Sequence, residues 1–242
     1  MRTLRALLLA TIVALPAAAN AADVQLQVVD RDAQTSPPIA QATDPCRTTG
    51  FTENNFNASS TSVSISSGAH ASVQGGDCDS STMTTALQQI NVTLIGPPGA
   101  TTQICYVVGF SAATSAEGPP GNVDATGQVG GNPVTDPGGI FQNGNPIATF
   151  QESFVANSAD SETQRALFSA TVGDMIRLET GANANAALTG AGSADSKENA
   201  FAAIYLGACP AERAPAASPW GLLGLAAALG MFGAAMLRRK AA

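Results

Sequence analysis

Cys46, Cys78, Cys105 and Cys209 are the four cysteines of this chain, and His70 is its one histidine. Thiols can ligate a metal, attack a substrate or close disulfides. There is no C-x-x-C pair and a single imidazole, so a zinc site is not supported and no metal is expected. A nucleophilic thiol must stay reduced, whereas an even number of cysteines in an exported chain reads as two disulfides. Of the three possible connectivities, the sequence favours 46–78 and 105–209. Cys46 and Cys78 sit in turn-rich stretches, "TDPCRTTG" and "GGDCDS"; Cys105 and Cys209 sit on or beside strand-like runs, "QICYVVGF" and "AFAAIYLGAC". A Ser-His-Asp triad would have to use His70, in "SSGAHASVQ", and no G-x-S-x-G turn precedes a helical segment. His70 reads as a surface residue of a strand or loop.

Carboxylates are the other chemical resource. Glu152, Glu162 and Glu179 lie on or near strand-like runs and could supply a glycosidase pair, but only if the fold brings two of them together. Asp77, Asp79 and Asp136 lie in turns, where calcium ligands often occur, yet none belongs to a complete D-x-D-x-D-G loop. Solvated turn residues bonding their own backbone are the simpler reading. Before Trp220 the aromatics are Tyr106, Tyr205 and scattered phenylalanines, few for a sugar-stacking platform. No catalytic set and no cofactor is expected. The tripeptides Asn57-Ala58-Ser59 and Asn91-Val92-Thr93 match the glycosylation pattern, which also occurs by chance.

The elements that would position these groups are strands. "DVQLQVV", "STSVSISS" and "ALQQINVTLIG" alternate apolar and polar residues, and "TQICYVVGF" is apolar enough for a central strand. A Gly/Pro/Asn-rich stretch from Ser115 to Pro146 breaks any long helix. Strands resume at "IATFQESFVA", "RALFSATV" and "DMIRLET", the last two reading as a hairpin around Gly173. "NAFAAIYLGAC" is a strand or the start of a helix. The expected fold is all-β, an antiparallel β-sandwich of roughly eight strands spanning residues 22–210.

Both ends read as handling segments. Residues 1–21 form a basic start, an apolar run and an Ala19-x-Ala21 site for signal peptidase. The ten-residue run is too short to span a bilayer as a helix. Residues 211–219 form a Pro/Ala-rich linker and residues 220–242 a membrane helix with a basic tail. Its 18 uncharged residues, Trp220–Leu237, reach about 27 Å as a helix. Arg238, Arg239 and Lys240 would hold its C-terminus in the cytoplasm, the orientation that an N-terminal export signal also demands. The exported part holds all 18 acidic residues and six of the 11 basic ones, a formal charge of −12. Such a surface repels nucleic acid.

The approach to the helix carries a resemblance. Pro215, Ser218, Trp220 and Gly221, with Pro219 between them, resemble the entry of the IPTL-type C-terminal sorting tails of Gram-negative bacteria. Ala214, Ala216 and Ala217 stand where that family has Ile, Thr and Leu. The resemblance covers about the last 29 residues. It implies recognition by an exosortase-like membrane transpeptidase that cuts near the start of the helix. A plain permanent anchor would share the helix and the basic lock. The expectation is an exported, cell-envelope or surface protein, structural or adhesive rather than enzymatic. The alternatives are a surface polysaccharide hydrolase, or a ligand- or calcium-binding module on a permanent anchor.

Overall fold

Alternation of inward and outward side chains, broken at one bulge, runs through two unusually long strands, and these two organise the molecule. The computed structural model describes residues 24–41 and 46–210. The strands are β1 (Gln25–Gln41), β2 (Arg47–Ala58), β3 (Ser62–Ile95), β4 (Thr101–Glu117) and β5 (Val123–Gly130). They continue with β6 (Gly138–Gln142), β7 (Asn145–Phe150), β8 (Glu152–Phe154), β9 (Ala159–Thr171) and β10 (Met175–Leu206). All recorded pairings are antiparallel. Among the described residues there is no helix long and apolar enough to cross a membrane.

β3 has 34 residues and β10 has 32. At about 3.3 Å per residue either would extend more than ~100 Å if straight. Instead their ladder is interrupted where Gly190 pairs with Cys78 and Gly192 with Gly75. Gly190 (φ +106°) and Gly192 (φ +155°) adopt backbone conformations that a side chain disfavours, so the pair can bulge here. On one side of the bulge the order is β2–β3–β10–β4–β9; on the other, β1 flanks β3 while β5 and β6 flank β10. β8 and β7 complete that second layer.

The two layers share one core. Val63, Ile65, Ile104 and Ile204 from the first pack in the same cluster as Ile90, Leu94, Ile176 and Leu178 from the second. Phe110 of β4 meets Phe150 and Phe154 of the other layer at ring-centroid distances of 6.1 and 5.8 Å. Next to the bulge the core becomes alanine-rich, with Ala69, Ala71, Ala182, Ala184 and Ala186 buried beside the Cys46–Cys78 bond. Between the two regions polar side chains bridge the layers. The Ser67 hydroxyl lies 2.8 Å from Asn54 Oδ1 and 2.9 Å from Thr180 Oγ1. Thr84 donates to the His70 carbonyl at 3.1 Å. Replacing Ser67 by Ala should therefore lower stability by about 1–3 kcal/mol, since Thr180 stays buried without this partner. Urea unfolding would show this as a lower midpoint at an unchanged slope; an unchanged midpoint would mean the bridge contributes nothing.

Several sequence expectations need correction. Counted by layer there are twelve strand segments rather than eight, because β3 and β10 each serve both layers. "STSVSISS" and "ALQQINVTLIG" are the two ends of β3; "DMIRLET" and "NAFAAIYL" are the two ends of β10. The latter is strand, not helix. The stretch from Ser115 to Pro146 contains β5, β6 and the start of β7. The runs around Gly173 do not pair as a hairpin. β9 ladders with β4, whereas the start of β10 ladders with β3 and β6, so the turn carries the chain between layers. That turn is held by Asp174, whose carboxylate accepts from the Thr171 N–H and the Gln142 and Asn143 amides. These bonds, the Thr171 one first, hold its carboxyl below the usual range.

Candidate functional site

The cysteines pair 46–78 and 105–209, with Cα separations of 5.9 and 4.9 Å, and no cysteine is free. The first bond ties the entry of β2 to the bulge in β3, and the second ties β4 to the chain just past β10. The signal-peptidase site at Ala19 and Ala21 and the sorting residues from Pro215 to Lys240 lie outside the described residues.

The carboxylates are not brought together. Glu152 pairs with Val129 at the β8 margin, and Glu162 pairs with Phe110 on edge strand β9 of the other layer. Glu179 lies between Gln89 and Gly139 on the outer face of the second layer. It is buried beneath the loop holding Asp136, with Arg177 Nε 3.5 Å away. Burial pushes its carboxyl up, against Arg177 and with Asp136. Asp79 sits opposite Thr189, next to the bulge, and Asp136 acts on Glu179, ten residues back along β10 or ~33 Å. The described residues hold no cluster of three or more His, Cys, Asp or Glu that could bind a metal. His70 is on the outer face of the first layer. Its Nε2 lies 3.0 Å from Asp195 Oδ2, and Lys197 Nζ lies 3.4 Å from Asp195 Oδ1. The ring's partner is a carboxylate on the neighbouring strand, not a serine.

Two features were not foreseen. One is Glu198, only 2% exposed, facing inward from β10. A Cβ on Gly127 of β5 would fall 1.8 Å from its Oε1, so the carboxyl occupies the space that this glycine leaves. Ser196 Oγ lies 2.8 Å from Glu198 Oε1 and 2.7 Å from the Thr126 carbonyl. A hydroxyl has one proton, and a carbonyl can only accept. Both bonds form together only if Glu198 is protonated and donates to Ser196, which donates to Thr126. Glu198 Oε2 is buried without a partner, a further penalty on the charged form. Burial pushes the carboxyl up to about 8, with the Ser196 hydrogen bond opposing and the Asp195 charge adding.

The other is a concavity of about 420 Å³ on the outer face of the first layer. The ladder aligns outward residues in rows across four strands: Asn57, Ser64, Ala203 and Val107 in one, Asn55, Ser66, Phe201 and Gly109 in the next. A Cβ on Gly109 would meet the Phe201 ring at 3.0 Å, so the glycine lets that ring lie against the β4 backbone. Tyr205 flanks the first row, and no charged side chain lines the concavity. Once this run is strand, the alternation of Phe201, Ala203 and Tyr205 places them on one face. Their meeting with two asparagines from β2 depends on register and is invisible in the sequence. A second concavity, about 500 Å³, is polar, with Arg47 and Glu117 among its lining residues beside the bulge.

No family model, no curated protein and no solved structure matches this chain.

Proposed function

We propose that this chain is an exported cell-envelope protein whose β-sandwich ectodomain acts at the surface as a structural or adhesive component, without catalysis of its own. Delivery uses the N-terminal signal and the C-terminal tail, read by an exosortase-like transpeptidase. The observation that carries the export reading is the complete pairing of the cysteines in two disulfides, compatible with an oxidising, extracytoplasmic compartment. The acidic charge balance supports a role at a surface rather than on nucleic acid. Nothing in the placement of Glu152, Glu162 and Glu179 favours the hydrolase alternative, and nothing in that of Asp79 and Asp136 favours calcium.

Mass spectrometry of the mature protein from its own host tests this. The expected polypeptide begins at Ala22 and lacks everything beyond about Pro219. A mature chain that keeps Lys240 would replace sorting by a permanent anchor. A cytoplasmic protein with residues Met1 to Asn20 intact would end the export reading.

A further inference from the structure

We propose that the concavity on the outer face of the first layer binds a short, neutral oligosaccharide. The proposal deepens the adhesive reading and rests on it. The site is built from alternating chemistry. Phe201 and Tyr205 supply aromatic surface on β10, while Asn55 and Asn57 on β2 and Ser64 and Ser66 on β3 supply amides and hydroxyls. Its volume of about 420 Å³ falls within the ~300–1,000 Å³ of small-molecule sites.

Each group has capacity to spare. Asn55 donates to Ser66 Oγ at 3.5 Å, a long bond that a ligand hydroxyl could replace. The Asn57 amide, the Ser64 hydroxyl and the Tyr205 phenol form no side-chain hydrogen bond among the described residues. A primary amide offers two donors and an acceptor, so it can bind neighbouring hydroxyls at once. The negative face of an aromatic ring attracts the polarised C–H face of a sugar ring. The rows hold these groups on a strand spacing of about 4.8 Å and a same-face spacing of about 6.8 Å, on hydrogen-bonded backbone that is rigid before any ligand arrives.

Other occupants fit less well. An acyl chain would bury the asparagines and serines unpaired, at a cost for each. An anionic polymer would find no cation lining the concavity and a chain whose exported part carries six basic against 18 acidic residues. A peptide adding to a sheet needs an open edge; here only β2 is an edge strand, while β3, β10 and β4, which carry the rest of the floor, are paired on both sides.

The test is titration calorimetry of the full chain, held in a detergent without a sugar headgroup, against gluco-, xylo- and chito-oligosaccharides and against polygalacturonate. At least one neutral oligosaccharide should bind with a Kd below about 1 mM. Tyr205→Ala and Asn57→Ala should each weaken it by about tenfold or more. Phe51→Ala, an exposed ring on β2 in the row of His70 and outside the concavity, should leave it unchanged. Asn57 is exposed, so its variant keeps the fold even if Tyr205→Ala does not. No binding to any neutral oligosaccharide, binding to polygalacturonate alone, or an affinity indifferent to Asn57→Ala would overturn the proposal. A correctly processed surface protein that binds no sugar would end this assignment and leave the export reading intact; a sugar-binding protein retained in the cytoplasm would do the reverse.

Discussion

Glu198→Gln should make the folded protein more stable at pH 8 than the wild type and flatten its stability between pH 5 and 8. The wild-type carboxyl is pushed up to about 8 in the fold from an ordinary 4.5. A group with a raised folded pKa binds more protons folded than unfolded across that interval. Its contribution is complete below about pH 4.5 and is lost as pH rises through about 8. Between pH 5 and 8 the loss is on the order of 3 kcal/mol, from ~1.4 kcal/mol per pH unit rounded off near each pKa. Glutamine reproduces the protonated acid: its amide can donate to Ser196 Oγ while Ser196 donates to the Thr126 carbonyl. It carries no charge to be stranded beside Asp195 and the unpartnered oxygen position.

Denaturant midpoints for both proteins at pH 5, 6, 7 and 8 would decide the matter. A residual slope of the same sign is expected from Glu179, whose carboxyl is raised by burial as well. Asp174 acts in the opposite direction and at lower pH. Its depressed carboxyl contributes stability that fades as pH falls through its folded value, so it leaves the window above pH 5 undisturbed. If the glutamine variant keeps the full wild-type slope, Glu198 is not the group responsible.

The second large effect concerns the disulfides. Replacing Cys105 and Cys209 together by Ala should cost about 4 kcal/mol, and the same change at Cys46 and Cys78 somewhat less. The bonds span sequence separations of 104 and 32 residues. Chain-entropy arguments give about 4.7 kcal/mol for a loop of ~100 residues and about 3.7 for one of ~30. For a domain of this size the larger loss corresponds to a Tm lower by roughly 8–16 °C. The physical basis lies in the fold: Cys105 is fully buried on β4 and Cys209 follows the last residues of β10. Their bond closes the chain around the rest of β4 and all of β5 to β10, the second half of the domain. Calorimetric melting of the oxidised wild type and the two double-alanine proteins would test the ranking. A 105/209 variant melting within about 3 °C of wild type would refute it.

These predictions rest on features of uneven legibility. The disulfide pairing was legible in the even number of cysteines and the local setting of each. Both ends of β3 and the first end of β10 were visible because Val63 and Ile65, Ile90 and Val92, or Ile176 and Leu178 alternate with polar neighbours, whereas the last stretch of β10 read equally as strand or helix. The middles of both strands were not visible. "GAHASVQGGDCDSSTMTT" and "GANANAALTGAGSADSKE" are rich in glycine, alanine, serine and asparagine, which have weak or negative strand preference. They are strands because each lies against the other, and the small side chains suit the crowded space beside the bulge. Glu198 belongs to one of these segments. From "SADSKENAF" it reads as a solvated charge. Its burial follows from a parity set by the bulge upstream and from the space left by Gly127 on a strand about 70 residues away.

By itself, then, the sequence determined what local pattern and composition can determine: an all-β antiparallel class, an acidic charge balance and an even set of cysteines. Alternation, turn residues and charge counts are short-range properties, readable without partners. The tertiary structure alone decided that two long strands fold over to build both layers. It decided which asparagines meet which aromatic rings and which carboxyl loses its solvent. Those outcomes depend on strand register and on contacts between residues far apart in the chain, and a one-residue slip in either long strand would exchange the buried face for the exposed one.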